Sequence, residues 1–137
     1  MSHIYRCTTP EQSKRLLNLG LSPNTADCYF HLNSKPIFLP EMYTYEQWIK
    51  VQGDPPGNYT PAWSTGQLMS ILPKNIKVGS NKLQLEFHDN LVIYQAKMPV
   101  YTMKFGDYGT TLIESIVRAI DVLSFEQLYN FSKFKSL

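Results

Sequence analysis

Four residues in the first quarter of the chain carry the donor atoms of a zinc site: His3, Cys7, Cys28 and His31. Their His-x3-Cys and Cys-x2-His spacings permit a Cys2His2 set. A strand through residues 28–31 would, however, turn Cys28 and His31 to opposite faces, and a cysteine beside Tyr29 and Phe30 has an ordinary use as a small buried apolar group. No metal or other cofactor is expected. Nucleophilic catalysis has no better footing, because there is no Gly-x-Ser-x-Gly elbow and neither cysteine stands in a family-type context. The remaining histidine, His88, sits on a hairpin shoulder without a recognisable partner. Phosphate loops and Gly-x-Gly-x-x-Gly fingerprints are absent too. No catalytic residue is assigned, and a binding protein is expected rather than an enzyme.

The residues that could bind something are Tyr59 and Trp63 in a turn-rich stretch, the Tyr43, Tyr45 and Trp48 group, and Lys74, Lys77, Lys82, Lys97 and Lys104. Aromatic rings can stack on a base while ammonium groups hold a phosphate, so Tyr59, Trp63 and the five lysines form a candidate site for a small anionic nucleotide or a single strand. Against this, Trp48 and Trp63 stand where helix-entry staples stand, and tyrosine-rich surfaces equally serve protein-protein contacts.

The charge distribution sharpens that choice. The net charge is +2, with five basic and five acidic side chains in residues 1–73, five Lys against Glu86 and Asp89 in residues 74–105, and three basic against four acidic in residues 106–137. The excess lies in the middle, and it is too small for a duplex DNA footprint. A run of lysines on a solvated sheet face would explain it without any ligand. Two-fold oligomerisation would bring equivalent lysines together, so a homo-oligomer is also considered.

With 137 residues, 43% of them hydrophobic, and 18 aromatic rings, the chain should fold as one domain, residues 1–137, without disulfides or a metal. It shows neither a secretory leader nor a long apolar run, so a soluble cytoplasmic protein with no membrane partner is expected. Cys7 and Cys28 are then expected to be reduced thiols. The Asn58-Tyr59-Thr60 and Asn130-Phe131-Ser132 sequons are incidental.

The elements that must position these residues are marked by five capping signatures, Ser or Thr followed three residues later by Gln or Glu. Thr9 with Gln12, Thr44 with Gln47, Ser64 with Gln67, Thr111 with Glu114, and Ser124 with Gln127 each predict a helix start. The first helix should stop at Gly20, the second near Gly53, and the third before Pro73. The fourth carries an apolar stripe through Leu112, Ile113, Ile116, Val117, Ile120 and Leu123. The fifth, with Leu123 and Leu128 as staple, should begin after a sharp bend.

Strands fill the basic segment. Leu83, Leu85 and Phe87 alternate with polar residues, and Asp89-Asn90 turns into residues 91–96. That register pairs Phe87 with Val92, Leu85 with Tyr94 and Leu83 with Ala96, leaving Glu86 and His88 on the opposite face. Tyr101, Met103 and Phe105 supply a third strand after Met98-Pro99, with weaker strand signals at residues 76–78 and 28–32. Residues 53–62 are expected to be loop. The predicted class is α+β: a small antiparallel meander packed on one face by four or five short helices.

Residues 10–27 (PEQSKRLLNLGLSPNTAD), residues 61–69 (PAWSTGQLM) and residues 111–117 (TLIESIV) together resemble small uncharacterised proteins of bacteriophages and mobile elements of gut bacteria. The resemblance implies a phage or prophage setting and carries over no site residue. In that setting a small protein without catalytic motifs is expected to act in the host cytoplasm. It would bind a host protein or sequester a small signalling nucleotide used in antiphage defence; a nucleic-acid accessory protein and a small enzyme are the alternatives.

Overall fold

The computed structural model describes residues 7–97, 101–107 and 109–133. The fold is α+β, with four α-helices and seven strands in two antiparallel sheets among these residues. The larger sheet is a meander of β4 (Asn75–Val78), β5 (Asn81–His88), β6 (Leu91–Ala96) and β7 (Thr102–Phe105), hydrogen-bonded in that order. Its central register is the one the alternation predicts: Leu83 faces Ala96, Leu85 faces Tyr94 and Phe87 faces Val92. The turn requires Asp89 at φ 53°, a left-handed conformation that Asp tolerates. Val92 and Tyr94 in turn face Phe105 and Met103 of β7. Leu83, Val92 and Tyr94 are wholly buried, whereas Lys82, Gln84, Glu86 and His88 are exposed, so one face meets the core and the other meets water.

Helix α4 (Leu112–Phe125) lies on β6 and β7 and buries Ile113, Ile116, Val117, Ile120 and Leu123. Gly106 passes so close to it that a Cβ would collide with Ser115, whose hydroxyl donates to the Asn90 carbonyl and fixes α4 over the turn between β5 and β6. Helix α1 (Pro10–Asn18) has its full capping box at Thr9 and Gln12, and Gly20 follows it at φ 98°. It is tied to α4 through Glu114, which accepts from Gln12 Nε2 at 2.9 Å and from Arg15 and Arg118 at 3.2 Å. These bonds and partial burial oppose one another; burial disfavours the charged carboxylate, the hydrogen bonds favour it, and the net effect holds Glu114 below the usual glutamate range. Helix α3 (Thr65–Ile71) packs on α4 and buries Leu68 and Ile71.

The second sheet is β2 (Ile37–Phe38), β1 (Cys28–His31) and β3 (Tyr59–Ala62), in that order. It corrects the expectation of a loop across residues 53–62. Pro61 lies within β3 opposite Tyr29, and it is tolerated there because β3 is an edge strand, where a missing N–H need not break the ladder. Helix α2 (Tyr45–Gln52) belongs to this sheet and not to the meander, since Tyr45 and Ile49 pack with Tyr29 and Tyr59 in their own cluster. The meander is therefore covered by fewer helices than its neighbours in sequence promised.

The helix expected to start at Ser124 does not form. Helix α4 runs on through Phe125, and Gln127 at φ 58° ends it. The Leu128 N–H donates to the Leu123 carbonyl at 2.8 Å and the Gln127 N–H to the Ser124 carbonyl at 3.1 Å, the two bonds of a Schellman stop. Leucines five residues apart suit both an entry staple and the apolar contact across such a stop, so the pair marks a helix end rather than a start. Met98-Pro99 and the tail beyond Lys133 lie outside the described residues.

Candidate functional site

Trp63 and Tyr59 are not brought to the lysines. Trp63 has 0% exposure and its indole N–H donates to the Thr25 hydroxyl at 2.9 Å. Tyr59 is buried in the small sheet, donates to Asp54 Oδ2 at 2.9 Å, and stacks on His31 with ring centroids 4.6 Å apart. His31 Nε2 in turn lies 3.3 Å from Asp54. These contacts occupy both rings in building the protein.

Of the proposed zinc ligands, His3 lies outside the described residues. Cys7 and Cys28 are free, buried and hydrogen-bonded with their sulfurs 3.0 Å apart. That bond and burial push the Cys28 thiol upward and keep it protonated. No group of three or more His, Cys, Asp and Glu side chains is placed to hold a metal among the described residues. Asp27, beside Cys28, accepts from the Ser64 N–H at 2.8 Å and the Ser64 hydroxyl at 2.5 Å, which locks the start of α3.

The lysines divide by strand register. Lys77 and Lys82 stand directly opposite one another, and Lys97 follows Ala96, whose partner Leu83 adjoins Lys82. Lys77 and Lys82 share one end of the outer meander face, and exposed Lys97 lies at the same end, just past β6. Lys104 is on the same face but opposite Ile93, in the row of Glu86. Lys74 precedes β4 and lines a groove of about 730 Å³ with Met69, Asn75, Gln84 and Phe87.

A second surface joins Tyr43 and Trp48 to apolar residues that no sequence pattern singled out. Phe38 on edge strand β2 is 66% exposed, Met42 in the following loop 89%, and Val51 on the outer side of α2 61%. Tyr43 joins them and packs against Trp48 at 5.1 Å, the expected staple contact. Pro40, Glu41, Met42, Tyr43 and Gln47 form a ridge between two open grooves. One, of about 430 Å³, runs past Phe38, Asp27 and Gln67; the other, of about 640 Å³, runs past Lys50 and Val51. Under this ridge the Trp48 indole N–H is buried and has no hydrogen-bond acceptor among the described residues. Apolar residues such as Met42 and Val51 look like core in a sequence, and only the placement of α2 on the small sheet leaves them outside.

No helix among the described residues is long and apolar enough to cross a membrane. No protein-family model, curated protein or solved structure matches this chain.

Proposed function

We propose that the chain is a non-enzymatic binding protein that acts on a host component by docking on a host protein through the ridge of Phe38, Met42, Tyr43 and Val51. The observation that carries this reading is the concentration of large exposed apolar side chains on one β2–α2 surface. Such patches mark interaction sites in soluble proteins, and aromatic and Met anchors beside grooves are typical of the energetically dominant positions. The orphaned Trp48 N–H below the ridge adds an unmet polar group at the same place. The resemblance to phage and mobile-element proteins supplies the setting: a phage-encoded protein working in the host cytoplasm, where binding a defence component needs a surface and no catalytic group.

Sequestration of a signalling nucleotide is the weaker form of this reading. A small ligand is normally held in a concavity that buries most of its surface; here the five lysines do not converge on one cavity, Lys74 and Lys104 lining separate grooves, and the aromatic partners Tyr59 and Trp63 are buried elsewhere.

The test is recovery of a partner from nuclease-treated host lysate by the immobilised protein and by a Met42→Asp/Val51→Asp variant with unchanged circular dichroism and Tm. The wild type should retain one host protein that the variant loses. Equal recovery by both would defeat the proposal, and an intact nucleotide released by heating the purified protein would replace it with sequestration.

A further inference from the structure

We propose that the outer face of the meander binds single-stranded nucleic acid, with the phosphates of the strand lying across Lys77, Lys82 and Lys97. Lys77 and Lys82 occupy neighbouring strands about 4.8 Å apart, and exposed Lys97 directly follows the end of the next strand, β6, so the group spans roughly 10 Å. Like charges directly opposite one another destabilise a sheet, and Lys77 faces Lys82. Neither makes an ion pair among the described residues, and Lys97 makes none either. Glu86 cannot serve as counter-ion. It lies four residues along β5 from Lys82, about 13 Å away, and its carboxylate is 2.8 Å from His88 Nε2. The row thus lacks an internal anion, and an external one removes its self-repulsion.

The next row of the same face points to a nucleic acid rather than an isolated phosphate. Asn75, Gln84, Gln95 and Thr102 face one another across all four strands, beside the lysines. Their amides and hydroxyl have no side-chain hydrogen bonds among the described residues, so they offer donors and acceptors to sugars and base edges. An acidic peptide could also use both rows, and competition by polyglutamate separates the two. A rigid duplex would need a larger basic area than one row of three. No Phe, Tyr or Trp ring stands on the described outer face and His88 is engaged by Glu86, so the mode gains little from base stacking and should be tolerant of sequence and weak at physiological salt.

The experiment is fluorescence anisotropy with labelled oligothymidylate and oligouridylate across a salt series. For single strands log K falls by about 0.7 per log unit of salt for each phosphate neutralised, so three contacts give a slope of about −2. Lys77→Gln, Lys82→Gln and Lys97→Gln should each flatten the slope by about 0.7, with Tm unchanged or slightly raised as like-charge repulsion is relieved. Lys14→Gln, on exposed α1, should leave the slope unchanged. The proposal is overturned if no oligonucleotide binds, if the three variants keep the wild-type slope, if a duplex of equal length binds as well, or if polyglutamate competes as effectively as the oligonucleotide.

Discussion

The Trp63 indole N–H donates to the Thr25 hydroxyl at 2.9 Å, and neither residue is exposed. This bond joins the start of α3 to the turn at Pro23–Thr25, and the Trp63 backbone N–H donates to the Thr8 hydroxyl at 3.0 Å as well. Trp63 therefore connects the N-terminal segment, the small sheet and the main core. Trp63→Ala should cost about 3–5 kcal/mol in urea unfolding, the usual range for truncating a buried aromatic. Trp63→Phe, which keeps much of the volume and removes the hydrogen bond, should cost distinctly less.

Glu114 makes stability depend on pH. Its folded carboxyl titrates below its unfolded value, so its stabilising contribution is complete above the ordinary glutamate range and is lost as pH falls through the lower folded value. Glu114→Gln should lower stability by about 1 kcal/mol at neutral pH, since the arginine partners are half exposed. It should also flatten the acid limb of a plot of urea midpoint against pH. An unchanged acid limb would show that the α1–α4 contact does not depend on charge.

The two faces of the meander should respond differently. Glu86→Ala and His88→Ala, on the exposed face, should each stay within about 0.5 kcal/mol of wild type, whereas Leu83→Ala, fully buried, should cost about 2–5 kcal/mol. Large losses at Glu86 and His88 would mean that the outer face is covered in solution, as in an oligomer.

Gly106 offers a test of backbone fit. At φ 102° and against the Ser115 side chain, it has no room for a Cβ. Gly106→Ala should destabilise by about 1–3 kcal/mol through strain and displacement of Ser115. Measured against Ser115→Ala alone, Gly106→Ala should cost less than in the wild type, because the Oγ collision is gone while the tight contacts to the residue 115 Cβ and the Asn90 carbonyl and the φ strain stay.

The meander was legible because strict alternation from Leu83 to Phe87, a turn at Asp89-Asn90 and a matching run to Ala96 admit one register that buries a single face. The same register implies the facing pair Lys77 and Lys82 once β4 is paired, with Lys97 just past the end of β6. The small sheet was harder to read. Its strands are two to four residues long, and Pro61 argues against a strand unless the edge position is known. The ambiguous leucine pair at 123 and 128 turned a helix stop into an apparent start. The ridge was invisible for a related reason: whether Val51 points inward or outward depends on which sheet α2 covers, and that is decided by the distant pairing of β1 with β3.

The central claim, docking on a host protein through the β2–α2 ridge, is tested most directly by titration calorimetry of the recovered partner against the wild type and Met42→Asp. A charge at the centre of an apolar contact should remove at least the about 2 kcal/mol of a dominant position, a roughly 30-fold loss of affinity, without altering Tm. Identical affinity for the two proteins, with Tyr43→Ala also unchanged, would contradict it.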